Sequence, residues 1–95
     1  MRGVDLAIYA DALAGEAASL AARAERARSR LRQAAIEKRA RRELTPVAVE
    51  RLEALGVFGE LDESATRGEL RKLEAALDAI EELQAWLEGE LASAA

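Results

Sequence analysis

The chain has 95 residues, a formal net charge of −4, no cysteine and no histidine. That length allows one domain with a modest core, and the two missing residue types exclude disulfides, thiolate nucleophiles and imidazole chemistry. Twenty-three alanines and fourteen leucines stand against one Tyr, one Phe and one Trp, a diet that favours helix and disfavours strand.

Residues 1–95 are therefore read as a single all-α domain. The first element is a long helix over about 4–43, with Asp5 in its first turn and Lys38, Arg39, Arg41 and Arg42 in its last turns, a charge order that suits the helix dipole. Its seam runs Leu6, Ala10, Leu13, Ala17, Leu20, Ala24, Ala27, Leu31 and Ala34 in alternating steps of four and three. Such a heptad, with leucine and alanine sharing the core positions, lets a facing helix approach closely. Gly15 weakens the helix by roughly 1 kcal/mol relative to alanine. Ile8 and Ile36 lie off the seam and suggest a second contact near each end.

A short helix over about 46–55 follows. Thr45 is placed to cap it, and Pro46 takes the first helical position, where its missing N–H is not needed. Val49, Leu52 and Leu55 give one apolar face, and Gly56 stops the helix. The linker 57–64 carries Phe58 and Leu61, which are expected to plug the junction between helices.

The third helix is placed over about 66–91, with Thr66-Arg67-Gly68-Glu69 as a capping box; Asp62 or Ser64 offers a start one turn earlier. Leu70, Leu73, Leu77, Ile80, Leu87 and Leu91 form its seam. Gln84 interrupts that seam, as either a register-fixing polar residue or a wet edge, while Leu83 and Trp86 widen the apolar face. The architecture expected is a coiled-coil hairpin or small bundle. At 1.5 Å per residue the third helix is too short to cover the first, which leaves part of Leu6 to Leu20 bare in a monomer. A homodimer is the simplest cover. Leu6, Leu13, Leu20, Leu31, Leu70, Leu73, Leu77, Ile80 and Leu87 are then the candidate seam for the dimer or a partner, with Leu83 and Trp86 as a candidate anchor.

Charge is unevenly spread along the chain. Arg23, Arg26, Arg28, Arg30, Arg32, Lys38, Arg39, Arg41 and Arg42 meet only two acids between them, whereas residues 43–95 carry thirteen acids against four bases. One reading has the bases pair internally with Glu69, Glu74, Asp78, Glu81 and Glu82 of the third helix, or with the second helix, and so set helix orientation. A second reading makes these nine residues an anion-binding surface for nucleic acid, with steep salt dependence; the absence of stacking aromatics argues against it. In addition, Glu25-x-x-x-Ser29-x-x-Arg32 is similar to the first part of a motif by which a family of actinobacterial anti-sigma factors holds cyclic di-GMP on a coiled coil. The resemblance implies an anionic nucleotide as a third reading. The motif continues with Gln and Asp, where this chain has Ile36 and Ala40.

Catalysis is not expected. No serine lies in a Gly-x-Ser-x-Gly or Ser-x-x-Lys pattern, no Gly-rich phosphate loop occurs, and the acidic pairs lack a supporting Glu-x-x-His. No cofactor and no metal site are expected. No apolar run is long enough for a signal peptide or a membrane span, and the basic segment opposes its charges with alanine, which gives a bilayer little to take up. The sequence thus reads as a cytoplasmic, non-catalytic protein–protein interaction module, an adaptor or regulator acting as a homodimer. The alternative is a helical nucleic-acid-binding protein using residues 23–42.

Overall fold

The computed structural model describes residues 3–94. Among them are three helices and no strand: α1 (Gly3–Glu43), α2 (Pro46–Ala54) and α3 (Glu63–Ala94). No helix among the described residues is long and apolar enough to cross a membrane. α1 and α3 pack against each other as an antiparallel hairpin, a rod of 68 × 18 × 17 Å. Two helix diameters side by side account for its width. The direction is fixed by three levels along the rod: Gly3 faces Ala94, Arg23 reaches Glu69, and Lys38 reaches Glu63.

Local chemistry explains the helix ends. α1 stops because Thr45 precedes Pro46, whose ring pushes the preceding residue out of the helical region; Thr45 is extended, with φ −65° and ψ 150°. That same conformation frees the Thr45 hydroxyl to accept from the Ala48 N–H at 3.3 Å, which caps α2. At the other end of α2, Gly56 takes φ +71°. The Gly56 N–H then donates to the Glu53 carbonyl, and the Val57 N–H to that of Leu52, each at 3.0 Å. This paired arrangement closes the orphan carbonyls of the last turn, and the left-handed backbone it needs favours glycine. Val49 and Leu52 are half-buried as expected, but Leu55 serves as the C-cap and points into water, 77% exposed.

α3 begins at Glu63 rather than at Thr66. Asp62 accepts from the Ala65 N–H at 3.0 Å, so the earlier of the possible caps prevails. Thr66 lies inside the helix, its hydroxyl donating to the Asp62 carbonyl at 2.9 Å. The helix also continues three residues past Leu91. These two extensions undo the length argument for a dimer, because α3 now reaches from the level of Lys38 to that of Gly3. Leu6 is only 3% exposed within one chain, and Leu13, Ala17 and Leu20 are half-buried. The seam that seemed to need a second copy is covered by α3.

The core is thin. Leu6, Ala24, Ala27, Leu73 and Leu87 are the buried hydrophobic residues, while Leu31, Leu70, Leu77 and Ile80 remain half-buried. A two-helix hairpin has one seam, and most of its residues are closed on the facing helix's side but open along the flanks. Gln84 is half-buried beside Ala10 and Leu87, at the edge of a cavity of about 240 Å³. Of the candidate anchor pair, Leu83 is half-buried in the hairpin, whereas Trp86 is 53% exposed.

Candidate interaction surfaces

The basic stretch lies on the half of α1 nearest the connection, and six of its nine bases find carboxylates. Arg23 meets Glu69 at 3.4 Å and Lys38 meets Glu63 at 3.7 Å, both across the hairpin. Arg41 reaches Glu53 of α2 at 3.5 Å, and Arg39 reaches Glu43 along its own helix at 3.0 Å. Glu25 holds two partners, Arg32 at 2.7 Å and Arg28 at 3.6 Å. All these groups except the half-buried Glu63 are substantially exposed, so the exposed pairs contribute at most about 1 kcal/mol each. Arg26, Arg30 and Arg42 form no ion pair among the described residues.

The acids expected to neutralise this stretch are mostly elsewhere. Of Glu69, Glu74, Asp78, Glu81 and Glu82, only Glu69 pairs with it. Antiparallel topology is the reason: it lays the C-terminal half of α3 beside the N-terminal half of α1, which has no base between residues 3 and 22. Glu53 and Glu63, near the connection, take the partner role instead. Their proximity to Lys38 and Arg41 depends on where the chain reverses, and no periodicity within a helix encodes that point.

The Glu25 carboxylate is held below the usual range. The hydrogen bond and the charge of Arg32 are the main causes, with Arg28 adding to them. These contacts bear on the segment resembling a cyclic di-GMP motif, because its acid and its arginine, Glu25 and Arg32, are engaged with each other.

Where α2 folds back, Arg41 lies over the Phe58 ring at 4.9 Å from its centre. The Glu37 carboxylate accepts from the Gly59 N–H at 3.3 Å and 3.4 Å. Phe58 and Leu61 are half-buried here, in the plugging position expected of them. The result is an open cleft of about 620 Å³ between the end of α1 and the connection. Five carboxylates line it against two bases, Lys38 and Arg41, both of which already have acidic partners.

Large apolar side chains lie in water along the rest of the rod. Val4 is 71% exposed, Ile8 63% and Ile36 69%, all on α1, and Trp86 projects from α3. Ile8 and Ile36, expected to make a second contact near each end, are thus mostly exposed within one chain. The fold and these surfaces define a class: a charged antiparallel helical hairpin with a short helix turned back at its closed end. Comparison with known protein families, with curated proteins and with solved structures finds no match to this chain.

Proposed function

We propose that the protein is a non-catalytic helical interaction module, an adaptor or regulator that presents the outer faces of its hairpin to another protein. The observation that carries this reading is the set of large apolar side chains outside a seam that is already closed. Ile8, Ile36 and Trp86 are each more than half exposed, although nothing in the hairpin's own packing needs them there. Tryptophan is enriched among the anchors of association surfaces. The lack of cysteine suits a reducing cytoplasm.

The test compares the tagged protein with a Trp86→Ala, Ile36→Asp variant in the source cell, by quantitative interaction proteomics. Partners enriched with the parent and lost with the variant support the reading, provided that circular dichroism shows both equally helical. Identical recovery profiles would sink it.

Nucleic-acid binding through residues 23–42 is the second reading, and the unpaired arginines Arg26, Arg30 and Arg42 are what favour it. A mobility shift with duplex DNA or RNA at low salt, lost when these three are changed to glutamate, would replace the first reading with this one. No shift at micromolar protein removes it.

A further inference from the structure

We propose that the outer face of α1 is a self-association surface, on which a second copy of this chain docks antiparallel about a two-fold axis at Ala22. This deepens the interaction-module reading and rests on it, naming the partner of one face.

Two lines of residues run along α1. The inner one, Leu6, Leu13, Leu20, Ala27 and Ala34, advances in steps of seven and meets α3. The outer one, Ile8, Gly15, Ala22, Ser29 and Ile36, advances in the same steps, two residues further on. Two residues correspond to about 200° of helix rotation, so the outer line stays opposite the hairpin seam along its whole length. Every residue in it is exposed. A constant heptad also keeps the line facing one partner through any supercoil.

The outer line is symmetric about its centre. Ile8 and Ile36 lie equally far from Ala22, as do Gly15 and Ser29. An antiparallel copy therefore sets Ile8 against Ile36 of the other chain at both ends, while Gly15, Ala22 and Ser29 in the middle let the backbones approach closely. Matching a patch to itself in this way is what a two-fold interface requires.

Charge selects the second copy and its direction. On α1, the helix that carries this face, residues 3–22 hold three acids and no base, whereas residues 23–42 hold nine bases and two acids. An antiparallel pair lays each acidic half on a basic one. Asp5 then comes level with Arg39 of the other chain, and Asp11 with Gln33 beside Arg32. A parallel pair in register would instead set Arg26, Arg32 and Arg39 against themselves, a like-charge arrangement that costs association. The unpaired Arg26 flanks the outer line, where an incoming acidic half meets it.

The size of the face sets the strength. From Ile8 to Ile36 the strip is about 42 Å long, and at about 10 Å wide it covers about 420 Å² per copy, below the range of stable specific interfaces. The dimer is thus weak and salt-sensitive.

Because the chain has no cysteine, single introduced cysteines report the geometry directly. Ala22→Cys is expected to form a disulfide with its own copy at low salt. Ile8→Cys is expected to link to Ile36→Cys in a mixture of the two proteins and not to itself. Sedimentation equilibrium of the parent should give twice the 10.2 kDa chain mass at low salt, with the dissociation constant rising about tenfold at high salt. Ala22→Glu should return it to one chain mass with unchanged helicity. A parent that sediments as a monomer at the highest soluble concentration overturns the proposal, as does Ile8→Cys linking to itself or an Ala22→Glu dimer. A monomer that still recovers a partner dependent on Trp86 and Ile36 overturns the self-association alone and leaves the interaction module standing.

Discussion

The two halves of the rod are held together by different forces. From Arg23 to Lys72, beside the connection, the buried residues are the small Ala24 and Ala27, and all the ion pairs found among the described residues lie here. In the other half the buried residues are Leu6, Leu73 and Leu87, and the surface is acidic throughout. Self-repulsion among those carboxylates works against closure, and it is there that the bulky apolar side chains are buried. The hairpin thus concentrates hydrophobic contact where its electrostatics are adverse, and closes on alanine where they are favourable.

The sharpest way to break this comparison is to remove one contact of each kind. Leu87→Ala, at a site only 2% exposed, should cost about 2–5 kcal/mol, whereas Arg23→Ala should cost about 1 kcal/mol or less. Chemical denaturation gives both values, and equal losses would refute the division. A smaller effect of opposite sign is expected from Gly89→Ala. A methyl group there meets nothing within 4 Å, so the acidic half should gain about 0.5–1 kcal/mol from helix propensity, seen as a higher melting temperature.

Salt sharpens the comparison further. Screening weakens both the repulsion in one half and the pairs in the other. Hydrogen exchange in residues 3–22 and 73–94 should slow as salt is added, while residues 23–42 show no such protection. The smallest effect concerns Glu25. Because Arg32 and then Arg28 lower its pKa in the folded state, its contribution is present above the unfolded-state value and is lost as pH falls through the lowered one. Acid should therefore destabilise the parent slightly more than Glu25→Gln over that range. In an NMR titration, Glu25 should titrate below the ordinary glutamate value, and Arg32→Ala should raise it.

Fold class, both long helices and the short one were legible because each depends on local pattern. Leu6 through Ala34 mark a seven-residue seam, and Thr45, Pro46 and Gly56 punctuate without help from the rest of the chain. The start of α3 was less legible, since Asp62 and Thr66 are both competent caps and tertiary coverage of α1 favours the longer helix. The acidic complement of the basic stretch was not legible. Glu74 and Asp78 are on the right helix, but chain reversal puts them past the level of Arg23, beside the part of α1 that has no base. The outer line through Ile8, Ala22 and Ile36 was visible only as two stray isoleucines until α3 was seen to occupy the other face.

The place where the chain turns also fixes the order in which the hairpin closes. The contact between Lys38 and Glu63 spans about 25 residues of chain, whereas that between Ala10 and Leu91 spans about 80, an added loop-closure cost of about 1 kcal/mol. Closure therefore starts at the connection, where α2 has already shortened the loop and the charges attract, and proceeds outward like a zipper. The acidic end closes last and frays first. Replacing Leu6 by alanine should accordingly speed unfolding while leaving the folding rate nearly unchanged, which stopped-flow kinetics would reveal.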